Sequence, residues 1–124
     1  MSEQKGAYRI ALGALDTGGG VVGVANPEGV DVIVTRLIID VTTKTTGACT
    51  LDGGIAAAAT TVSDTLIDGL DVGAATGVFG NIDDQGTNGQ SVAKWGAAEF
   101  LTISMKTGAA AGLAGYAYVE YIRE

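Results

Sequence analysis

The stretch Val30-Asp31-Val32-Ile33-Val34-Thr35-Arg36-Leu37-Ile38-Ile39-Asp40-Val41-Thr42-Thr43 decides the fold class. Val30, Val32 and Val34 share one face at period two. Leu37, Ile39 and Val41 then share a face in the opposite phase. Alternating aliphatic and β-branched residues of this kind read as a strand. The slip of one residue predicts a β-bulge near Thr35-Arg36, or two strands bent at that point. Such a bend lets a strand curve from one sheet toward another.

Toward the N-terminus, residues 8–12 alternate weakly and read as a first strand, and residues 21–25 as a second. Asp16-Thr17-Gly18-Gly19-Gly20 between them is a loop, because consecutive glycines are expensive to order. Asn26-Pro27-Glu28-Gly29 places Pro second and Gly last, which suits a type I turn. Toward the C-terminus, residues 47–55 read as a strand broken at Asp52-Gly53-Gly54. Ala56-Ala57-Ala58-Ala59 is too short to sustain a helix. Residues 63–68 fit either a capped helical turn or a short strand, and residues 73–96 read as loop. In residues 99–106, Leu101, Ile103 and Met105 face one way and Thr102 and Ser104 the other. The last strand, residues 115–123, is apolar on both faces, which predicts a central strand or one that meets a partner chain.

Short strands with frequent turn signals and no long helical period indicate an all-β sandwich or barrel with Gly-rich loops. The 124 residues fit one continuous domain, with residues 1–29 as an N-terminal arm of short strands and residues 30–124 as the main β domain. No apolar leader or membrane-length stretch is present, so the expectation is a protein made in a cytoplasm and soluble there.

Charge is unevenly spread. Residues 45–93 contain six carboxylates (Asp52, Asp64, Asp68, Asp71, Asp83 and Asp84) and no Lys or Arg, and they supply most of the net charge of −7. An acidic chain repels phosphate backbones, so nucleic acid is not an expected partner. The absence of His removes Ser-His-Asp and Cys-His arrangements and His-based metal sites. Cys49 has no neighbouring cation to lower its pKa and reads as a buried, inert residue. A paired-carboxylate glycosidase lacks stacking surface, since Phe79 is the one aromatic in the acidic span.

Calcium is the one cofactor candidate. The loop Asn81-Ile82-Asp83-Asp84-Gln85-Gly86-Thr87-Asn88-Gly89 offers carboxylate, amide and carbonyl oxygens, with Asp83 and Asp84 as ligands and Asp64, Asp68 and Asp71 as distant additions. No Glu closes an EF-hand pattern, and the competing reading is a solvated loop of Asx turns. Gly18-Gly19-Gly20 and Gly86-Thr87-Asn88-Gly89 lack the Lys-Ser/Thr of a phosphate loop. Trp95 reads as a core or interface anchor. Tyr116, Tyr118 and Tyr121 read as core edge or subunit interface, with a carbohydrate platform as the alternative.

Residues 35–43, the segment Asp64-Thr65-Leu66-Ile67-Asp68-Gly69-Leu70-Asp71-Val72-Gly73, and Gly115-Tyr116-Ala117-Tyr118-Val119-Glu120-Tyr121 resemble small virion proteins of tailed bacteriophages. These are the head decoration, cement or head-fibre proteins. The resemblance implies a β-sandwich or jelly-roll module on the capsid exterior, commonly trimeric. It would bind the major capsid protein and itself, without enzymatic activity. By that resemblance the N-terminal part, up to about Asn26, would be a capsid-facing arm. No residue-level motif carries over, and from the residues themselves Trp95, Tyr116, Tyr118 and Tyr121 are the candidates for a self-association interface. A glycan- or receptor-binding module of a phage fibre or tail is the alternative.

Overall fold

The computed structural model describes residues 4–17 and 20–124, apart from the side chains of Asp16 and Thr17. Met1, Ser2, Glu3, Gly18 and Gly19 lie outside the described residues, and with them most of the triple-Gly loop. The elements are β1 (Lys5–Ala11), a single helical turn α1 (Ala14–Thr17), β2 (Val21–Ala25), β3 (Val32–Thr43), β4 (Cys49–Ala56), β5 (Ile67–Asp71), β6 (Gly77–Gly80), β7 (Ala93–Trp95), β8 (Phe100–Gly108) and β9 (Ala114–Arg123).

Two antiparallel sheets pack face to face. One has the order β1-β9-β3-β6, with β7 also on β3, and the other the order β2-β8-β4-β5. The pairs β1·β9, β2·β8, β3·β6 and β4·β5 are all antiparallel. The chain is thus a doubled-back ribbon closed at the β4–β5 end and wrapped so that its strand pairs alternate between sheets. This is the jelly-roll form of the β-sandwich. β7 is an addition to the eight-strand scheme, sharing with β6 the edge of β3 that β9 leaves open.

The phase slip in β3 is a bulge. Its register on β9 shifts between Val34 and Arg36, and Thr35 is the extra residue. Val32, Val34, Leu37, Ile39 and Val41 are all at most 1% exposed, so the slip turns both apolar sets toward one core. From the other sheet Leu51, Ile67, Leu101 and Ile103 complete that core.

Two expectations change. β4 runs unbroken through Asp52-Gly53-Gly54, because each glycine accepts a neighbour where a side chain would stand. Leu37 from the facing sheet occupies the space inside Gly53, and Ser63 and Thr65 lie over Gly54. Residues 73–96 contain β6 and β7, four and three residues long, too short for alternation to register in sequence. Within residues 1–29, β1 pairs along its whole length with β9, and β2 with β8.

Candidate functional site

The two outer sheet faces differ in chemistry. On β9, burial alternates: Ala117, Val119 and Tyr121 face the core, while Tyr116, Glu120 and Ile122 are exposed and Tyr118 is half-buried. Tyr116, Tyr118, Glu120 and Ile122 therefore line the outer face of a central strand. The Arg9 guanidinium lies 4.5 Å from the Tyr116 ring centre, and the Tyr116 and Tyr118 rings are 6.4 Å apart and tilted by 48°. Ladder partners add Ile33, Arg36, Ile38 and Asp40 from β3 and Val78 from β6, which is 70% exposed. Lys5, Arg9, Arg36 and Lys94 belong to this face, four of the seven cations in the chain.

Trp95 and Tyr121 do not belong to that surface. Of the two expectations for them, core or interface, burial selects core: they are 0% and 3% exposed and meet edge to face at 6.3 Å. The Trp95 indole donates to the Glu99 carbonyl at 3.0 Å. The Tyr121 hydroxyl donates to Glu28 Oε2 at 2.6 Å, and Arg123 donates to both oxygens of the same carboxylate. Burial, followed by the hydrogen bond to Glu28, pushes the Tyr121 phenol up to about 12. The Arg123 and Tyr121 hydrogen bonds hold Glu28 below its ordinary value. This cluster pins the Asn26–Gly29 turn to the end of β9.

Asp83 and Asp84 stand in a turn after β6. Asp84 closes that turn on itself, its Oδ2 accepting from the Gly80 N–H at 3.3 Å. Among the described residues no group of three or more acidic or thiol side chains gathers as a cation site, so Asp64, Asp68 and Asp71 do not join them. Most carboxylates of the acidic span instead fasten turns. Asp71 accepts from Gly73 and Ala74, Asp52 from Gly69, and Asp64 from the Asn88 side chain. Backbone N–H groups in tight turns need such acceptors.

A second constellation, not foreseen from sequence, lies on the outer face of the other sheet. Two bulges flank one point of β4. The register with β8 shifts between Thr50 and Leu51, leaving Lys106 as the extra residue. The register with β5 shifts between Leu51 and Asp52, leaving Gly69 as the extra residue. Gly69 has φ of +84°, and the Lys106 stem passes over it, with Cδ 3.5 Å from where a Cβ would stand. The two irregularities carry Lys106 across β4 to Asp68, with Nζ 2.5 Å from Oδ1.

The Asp68 side chain is 3% exposed, whereas that of Lys106 is 45% exposed. The other Asp68 oxygen accepts from the Asn88 N–H at 3.1 Å. Asp52 is the ladder partner of Asp68. The Lys106 hydrogen bond holds Asp68 below its ordinary pKa and in turn raises Lys106. Asp52 moves the opposite way, raised first by burial, with the Asp68 charge adding to the effect. An amine, a buried carboxyl and a second carboxyl of raised pKa thus meet at one point. Asp68 and Lys106 are far apart in sequence, and nothing short of the two bulges joins them.

No family model, curated protein or solved structure matches the chain.

Proposed function

We propose that the chain is a non-enzymatic structural virion protein that decorates or reinforces the exterior of a phage capsid as a homotrimer. The observation that carries this reading is the jelly-roll topology, joined to an exposed face of Tyr116, Tyr118, Ile122 and Val78. Jelly rolls recur in viral shell and lectin domains, and the step from fold to role is analogy. The sequence resemblance to head decoration proteins points the same way. A decorating module acts by mass action: it binds the assembled lattice of major capsid protein more tightly than looser states and so stabilises the shell. Capsids melted with and without the purified protein test this. Co-sedimentation and a raised capsid melting temperature are expected. Neither effect, at saturating protein, refutes the reading.

A glycan-binding role for the same face is the second reading. Tyr116 and Tyr118 beside Arg9 and Asp40, next to an open groove of about 630 Å³ lined by Lys5, Ala7, Thr35, Glu120 and Ile122, favour it. Binding on a glycan array that is lost in Tyr116→Ala would select it.

A further inference from the structure

We propose that Lys106 and Asp68 condense without any cofactor into an intramolecular isopeptide bond, with the neighbouring Asp52 as proton relay. The geometry carries the inference. Nζ lies 2.5 Å from Asp68 Oδ1, on a carboxyl whose side chain is almost wholly withdrawn from water. A nitrogen so placed is within reach of the near-attack range of about 3–3.5 Å from the carboxyl carbon. The Lys106 stem is held over Gly69 and the Asp68 carboxylate is held by the Asn88 N–H, so neither group searches for the other.

The bond changes balance within the cluster. A proton passes from the ammonium to Oδ1 along their hydrogen bond, leaving a neutral amine beside a carboxylic acid. The nitrogen lone pair attacks Cγ, and negative charge develops on Oδ2, where the Asn88 N–H already points. The Asp52 carboxylate takes the surplus proton from the nitrogen and passes it to Oδ1, the Cγ–Oδ1 bond breaks and water leaves. The sum is ammonium plus carboxylate giving amide plus water, with nothing oxidised or reduced.

The ion pair favours the charged forms, so the neutral pair is a minor population and the reaction is slow. An effective molarity on the order of 10⁵–10⁸ M for oriented groups offsets this, and each molecule needs to react only once. The product would tie β8 to β5 across β4.

Intact mass spectrometry of the purified, denatured full chain tests the proposal. The expected mass is lower than the sequence mass by one water, and trypsin should release a branched peptide joining the Lys106 and Asp68 segments. Lys106→Arg keeps the cation and the ion pair, and Asp68→Ala removes the acceptor. Both should return to the full sequence mass of the variant. Asp52→Asn should slow or abolish the loss of water, with the fold checked by circular dichroism. Wild-type protein at its full sequence mass overturns the proposal. So does a loss of water that persists in Lys106→Arg, which would place the dehydration at an Asp-Gly succinimide instead.

Discussion

Tyr121 shows how pattern assigns a side chain to a face while packing decides what covers that face. Alternation along β9 sets it with Ala117 and Val119, opposite Tyr116 and Tyr118, and the second sheet makes that side core. Inside, it lies against Gly6 of β1, where a Cβ would collide with the phenol ring. Its pKa follows from that burial and from the Glu28 carboxylate. In a spectrophotometric titration one of the four tyrosines should ionise near 12, and Glu28→Gln should bring it down toward the ordinary value. The sign for stability follows by linkage. An unfolded tyrosine ionises at 10, so this contribution is intact below 10 and lost as pH rises from there toward 12. Glu28 works at the other end. Its folded pKa is depressed, so its contribution is present above 4.5 and lost as pH falls below that. Glu28→Gln should flatten the acid limb of a urea-midpoint versus pH profile.

At the scale of elements, the irregularities carry more information than the regular strands. The bulge at Thr35 was legible because apolar residues on both sides of it change phase. The paired bulges at Lys106 and Gly69 were not, because neither disturbs a long apolar alternation. The connection of residues 57–66 was equally hidden. It folds back over the outer face of the β2-β8-β4-β5 sheet, setting Ala59 on Gly23 and Ser63 and Thr65 on Gly54. That cover explains why Thr102 and Ser104, on the outer side of β8, are 0% and 1% exposed. Gly23→Ala should therefore push the connection off the sheet, since its new methyl meets the Ala59 backbone rather than a movable side-chain end. A loss of about 1–3 kcal/mol is expected from denaturant midpoints. New proteolytic cleavage within residues 57–64 should accompany it.

For the molecule as a whole, charge and apolar surface divide between the two sheets. The cations Lys5, Arg9, Arg36 and Lys94 share the outer face of the β1-β9-β3-β6 sheet with exposed Tyr116 and Ile122. The carboxylates Asp52, Asp64, Asp68 and Asp71 lie with the other sheet and its connections. If the aromatic face is the self-association surface of the proposed trimer, light scattering at micromolar concentration should give three times the monomer mass. Tyr116→Glu should reduce it to one. A monomer in the wild type would remove the trimer and leave the face for another partner.

Composition, the phase-slipped strand of residues 30–43 and the turn signals determined the all-β class, because alternation is a local property of neighbouring residues. They also determined that both faces of the last strand carry apolar residues. Only the tertiary structure decided that Trp95 and Tyr121 are core, since an aromatic at a strand end reads the same whether a second sheet or a partner covers it. Only the tertiary structure brought Lys106, Asp68 and Asp52 together, because that meeting depends on two bulges acting on a third strand. Sequence spacing contains no trace of a distance that three paired strands set jointly.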